Sequence, residues 1–142
     1  MAAQKTAVPG RLTFPQVAIA LQTLSLFFQS VTAGMLLSSS HGYALHDAGS
    51  KVMYGAAMLY VLAAILAWRP GGGSPRPILY ATGFLVLASV QVVLGVAHLP
   101  SLHVPLGILM FGLSVLALGQ AVSARLSKRS GTRSGAQVAR DS

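Results

Sequence analysis

HLPSLHVPLGILMFGLSVLALGQAVSA, residues 98–124, carries no charged side chain and is closed only by Arg125. From His103 onward it is apolar for about the ~20 residues that an α-helix needs to cross a hydrocarbon core. Its opening, HLPSLHVPLGILMFG (98–112), has a counterpart earlier in the chain, HGYALHDAGSKVMYG (41–55). His41 aligns with His98, Leu45 with Leu102, His46 with His103, Met53 with Met110, Tyr54 with Phe111 and Gly55 with Gly112. All four histidines of the protein lie in these two windows. Histidine is the commonest metal ligand and an ionisable residue, so its confinement to two matched positions of an apolar chain marks a candidate site.

Working outward, three further apolar stretches appear, and the spans read as roughly Phe14 to Leu37, Ser50 to Trp68, Pro77 to Ala97 and His103 to Ala124. With 54% hydrophobic and 8% charged residues, the chain has too few charges to coat a soluble domain. The expected fold is therefore all-α: a four-transmembrane-helix, up-down bundle built from two tandem two-helix repeats, about 14–68 and 77–124. Residues 1–124 form one membrane domain, and the basic, Ser- and Gly-rich segment 125–142 is expected to be a disordered tail. The short connections leave no room for a second domain.

A first span of this length, carrying Gln22, Ser25 and Gln29, reads as a retained helix rather than a signal peptide, whose apolar core runs ~7–15 residues. Gln22, Ser25, Gln29 and Thr32 share one stripe and should face inward, forming interhelical hydrogen bonds. The GGGSPRP run at 71–77 reads as the turn between the halves. Pro105 fits a first helical turn, and Gly112 and Gly119 suggest close helix approach on the fourth span.

Of the ten Lys and Arg residues, only Lys51 falls on the side that holds the histidines. Basic residues are retained in the cytoplasm, so both termini are expected to be cytoplasmic and the His-bearing loops extracytoplasmic, in a multi-pass protein of the cell membrane. The net charge of +8 is then a consequence of topology and argues for lipid rather than nucleic acid as partner. Two acidic residues in the whole chain exclude paired-carboxylate catalysis, and the absence of cysteine excludes disulfides and thiolate ligands.

At about 100° per residue, His46, Gly49 and Met53 share one stripe of the second helix, and His103, Gly107 and Met110 the matching stripe of the fourth. In an up-down bundle these helices lie across a diagonal of roughly 11–14 Å, enough for two imidazoles to address a flat macrocycle between them. His46 and His103 are accordingly the expected axial ligands of a haem iron. Gly49 and Gly107 would leave space beside the ring, and Met53 and Met110 would pack one turn deeper. Five residues turn a helix by about 140°, so His41 and His98 cannot share this stripe and are expected in the loops. There they are solvated or headgroup histidines, with contact to a haem propionate or a four-His zinc or copper site as functional alternatives. A structural or accessory membrane protein without cofactor is the competing reading of the whole chain.

The run VQVVLGVAHLPSLHVPLGILMFG at 90–112 resembles one half of the haem A synthase family. That resemblance implies a four-helix half with haem-ligating histidines near the outer ends of its second and fourth helices, at the positions of His46 and His103. It further implies respiratory or haem-pathway membrane proteins as partners, and homo-oligomerisation remains open. The chain also resembles a group of small actinobacterial four-helix membrane proteins, which brings no activity with it. There is no counterpart of that family's EWIH pattern before His46, there are no loop cysteines, and only one half is present. These departures argue against haem hydroxylation and against an enzyme, and leave haem binding, electron transfer or a scaffold.

Overall fold

The computed structural model describes residues 12–36, 38–39, 41–69 and 74–141, with residue 41 and residues 128–141 described as backbone only. Four helices are formed by these residues: α1 (Phe14–Leu36), α2 (His41–Trp68), α3 (Arg76–Val96) and α4 (Pro100–Asp141). Each contains a stretch long and apolar enough to cross a membrane, namely Phe14–Leu36, Gly42–Trp68, Arg76–Val96 and Pro100–Ser127. Leu24, Phe28, Val93, Ile108 and Leu116 are among many large apolar side chains on the outer surface, the distribution expected where the surrounding medium is hydrocarbon.

Neighbouring helices run antiparallel around a ring. α1 packs on α2 and α4, and α3 packs on the same two, while α2 and α4 have no Cα pair within 8 Å of each other across the diagonal among the described residues. Polar pairs fix the register. The Gln16 amide donates to the Ala121 carbonyl (3.2 Å) and the Thr23 and Ser114 hydroxyls meet at 2.5 Å, so α4 descends as α1 rises. Tyr54 and Ser89 hydroxyls join α2 to α3 at 3.1 Å. The core is small: Leu26, Met53, Phe84, Ala88 and Met110 form one buried cluster. Below it Ala18, Ala57, Ala63, Ala64 and Ala81 are buried, small side chains that let backbones approach where lipid offers no hydrophobic drive for association.

Two helix starts differ from the sequence expectation. α2 begins at His41 rather than near Ser50, so His41, expected in the loop, is the first residue of the helix that carries His46 and Gly49. The reversal from α1 is made in a few residues because Gly42 is buried against the end of α1; a Cβ there would lie 2.5 Å from the Leu36 nitrogen and 2.7 Å from the Met35 oxygen. Asp47 and Lys51 then pair at (i, i+4), 2.8 Å apart on an exposed face, where such a pair contributes little beyond local helix support. α4 begins at Pro100, whose missing N–H costs nothing in the first turn. Pro105 consequently lies inside the helix rather than in its first turn, and it withholds the amide that would bond the Ser101 carbonyl.

α4 also continues as backbone helix through 125–141, where a structureless tail was expected. Ala, Arg, Leu, Lys and Gln in that stretch are good helix formers, and helical growth from an existing span needs no new nucleus. Gly112 and Gly119, expected at a close helix approach, have nothing within 4 Å of a Cβ and face outward instead. The turn expected at 71–77 lies partly outside the described residues, as do Lys5 and Arg11.

Candidate functional site

The two histidines singled out at positions 46 and 103 meet. Their ring centroids are 6.1 Å apart with the planes inclined at 71°, across the α2–α4 diagonal at the end of the bundle that carries the α1–α2 and α3–α4 turns. Both are half-buried. Each ring is held from behind by the preceding helix. His103 Nδ1 lies 3.0 Å from the Gln91 carbonyl oxygen, which can only accept, so the proton is on Nδ1 and the Nε2 lone pair is free. His46 Nδ1 lies 3.1 Å from the Thr32 hydroxyl. With its one proton given to the Gln29 carbonyl at 3.0 Å, that hydroxyl can accept from His46 Nδ1.

A second pair of bonds ties the same helices together. The Gln29 amide donates to the His46 carbonyl (3.0 Å) and the Gln91 amide to the His103 carbonyl (2.8 Å). Gln29 thus makes the interhelical bond expected of the inward polar stripe, whereas Gln22 and Ser25 are buried without one: the Gln22 amide has no partner among the described residues and the Ser25 hydroxyl donates within α1 to the Gln22 carbonyl. Gly49 and Gly107 make room for the two glutamine–histidine bonds. A Cβ on Gly49 would collide with Gln29 Oε1, and one on Gly107 would lie 2.8 Å from Gln91 Nε2. The space beside these glycines is thus filled by glutamine amides. Met53 and Met110 lie a turn or two deeper and are 2% and 0% exposed, closing the apolar floor under the imidazoles.

Two further participants had been given no role beside the histidines. Thr32 was placed on the inward stripe but not assigned to His46. Gly95 is the other: a Cβ there would sit 3.2 Å from His103 Cε1, so the glycine is what lets the imidazole lie against α3. Its sequence counterpart Gly34 has nothing within 4 Å, and no signal in the sequence separates the two.

His98 is exposed, in the α3–α4 turn, with φ of 54°. Its amide bonds the Gly95 carbonyl (3.1 Å) and the Leu99 amide bonds the Leu94 carbonyl (3.0 Å), the double bond pattern that closes a helix through a left-handed residue. The backbone of His41 is the first residue of α2, and its side chain lies outside the described residues. Among the described residues no three His, Asp or Glu side chains gather as metal ligands, so the four-His zinc or copper arrangement has no assembled counterpart there.

Chemically the arrangement offers two half-buried imidazoles, each held at Nδ1, in a mostly apolar setting. Two such donors hold an ion firmly only when it brings its other ligands with it. His46 and His103 are the residues that would hold such an ion, and their ring centroids stand 6.1 Å apart. No known protein family, curated protein or solved structure matches this chain.

Proposed function

We propose that this multi-pass membrane protein binds haem through His46 and His103 as the axial pair, and serves electron transfer or haem handling beside respiratory or haem-pathway membrane proteins. The observation that carries this reading is the approach of the two imidazoles to 6.1 Å with each Nδ1 anchored from behind. A bound haem would supply one-electron chemistry and the four equatorial nitrogens that the protein lacks. The chain's own residues do the rest. Thr32 and the Gln91 carbonyl fix ring tautomer and orientation, as partners of ligating histidines do in metal sites generally. Gln29 and Gln91 lock each His-bearing turn to the helix before it. Met53 and Met110 keep water from beneath the rings. By the charge bias of the loops the site faces away from the cytoplasm, and the matched Gln–His bonds support the tandem two-helix repeat.

A second reading has its own observation. The glutamine amides occupy the spaces at Gly49 and Gly107, so the histidine turns are interhelical clasps in their own right, and an accessory protein without cofactor would need them equally. An ultraviolet–visible spectrum of the detergent-purified protein from haem-supplemented cells, oxidised and then dithionite-reduced, separates the two. Haem binding requires a Soret band and sharp reduced α and β bands, both lost in His46→Ala and in His103→Ala with helical circular dichroism retained. A featureless spectrum from folded wild-type protein would sink the haem reading and leave the clasp.

A further inference from the structure

At the end of the bundle opposite the histidines, a cavity of about 300 Å³ opens between α1 and α4. Leu12, Ala20, Leu118 and Val122 form its walls, the Gln16–Ala121 hydrogen bond crosses it, and Arg125 stands at its rim. We propose that this groove binds an anionic phospholipid, with acyl chain against the apolar walls and the phosphate at Arg125.

The shape and chemistry select this occupant. A soluble anion would have no use for the aliphatic walls, and the volume is at the lower bound of small-ligand sites, ~300–1,000 Å³, too small for a partner helix ~10 Å across. A single-file hydrocarbon segment fits. The apolar stretch of α4 ends at Ser127, so Arg125 stands where hydrocarbon gives way to headgroups. At the same end of the bundle Arg69 stacks over Trp68 at 5.5 Å, the amphipathic pairing expected at a membrane interface. A guanidinium presents five donors in a fork that suits a phosphate, so it can engage a lipid while keeping other interactions.

The experiment is native mass spectrometry of the full chain from micelles holding equimolar phosphatidylglycerol and phosphatidylcholine. Wild-type protein should retain phosphatidylglycerol about fivefold over phosphatidylcholine, the factor that one basic residue near an anionic surface provides. Arg125→Gln should bring the two lipids to near parity, Arg125→Lys should keep most of the preference, and Ala20→Phe, which fills the groove, should lower retention of both. Circular dichroism checks that each variant is folded, and Arg69→Gln, a charge removed at the same end but outside the groove, should leave the preference in place. Equal retention by wild type overturns the proposal. So does a preference that survives Arg125→Gln or disappears in Arg69→Gln, because the charge would then act from elsewhere.

Discussion

His98 illustrates how one residue can be placed by its backbone rather than by its ring. A non-glycine residue at φ of 54° is strained because Cβ crowds the following carbonyl, and histidine tolerates that region better than most side chains without escaping the cost. His98→Gly should therefore stabilise the protein by about 1 kcal/mol, seen as a higher melting temperature in detergent. A lower one would mean that the imidazole has a role the turn does not need. Gln22 presents the reverse situation. It is 0% exposed, and neither polar atom of its amide has a hydrogen-bond partner among the described residues. Replacing an unsatisfied buried group by an apolar one of similar shape removes a penalty of about 1–3 kcal/mol, so Gln22→Met should raise the melting temperature. If it falls instead, a bound water or ligand satisfies the amide in the working protein. The polar stripe of α1 was legible in the sequence because its period is helical, yet periodicity only says which side a residue faces. It could not distinguish Gln29, which finds the His46 carbonyl, from Gln22, which finds nothing.

Helix ends are where sequence reading and structure part most clearly. The four spans were legible because a long uncharged stretch has few alternatives. The beginning of α2 was only partly legible: the stripe rule put His46 and Gly49 on the helix, while His41 was left in the loop and the apolar span was read from about Ser50. The first turns of α2 are helical because each glycine accommodates something specific: the backbone of α1 at Gly42 and the Gln29 amide at Gly49. The two kinds of contact should differ in a melting experiment. Gly42→Ala drives a methyl into backbone atoms at 2.5–2.7 Å that cannot rotate away, and should cost roughly 2 kcal/mol or more. Gly107→Ala meets the end of a flexible side chain at 2.8 Å and should cost about 1 kcal/mol, the worth of the displaced Gln91–His103 bond. Equal melting temperatures for the two variants would refute this account of how α2 starts. The same argument explains the site: the stripe rule found His46 and His103, while the glycines beside them were read as space for a ligand and turn out to hold glutamines.

For the whole molecule, the repeated windows and the ring of antiparallel helices together explain why four spans suffice to bring the two histidines across a diagonal. Spacing along the sequence put them on matching stripes, but only the packing of α1 against α2 and of α3 against α4 sets how far apart the rings stand. Seen as a frame, four parallel struts joined edge to edge can shear unless something braces a diagonal. Here α2 and α4 touch no backbone of one another, and the braces between them are the imidazole pair and the methionine layer beneath it, all toward one end. Among the described residues the far end, walled by alanines and opening into the α1–α4 groove, shows no such cross-member. A frame braced in this way resists shear first at the rim where the histidines stand, like a clothes peg whose spring lies at one end.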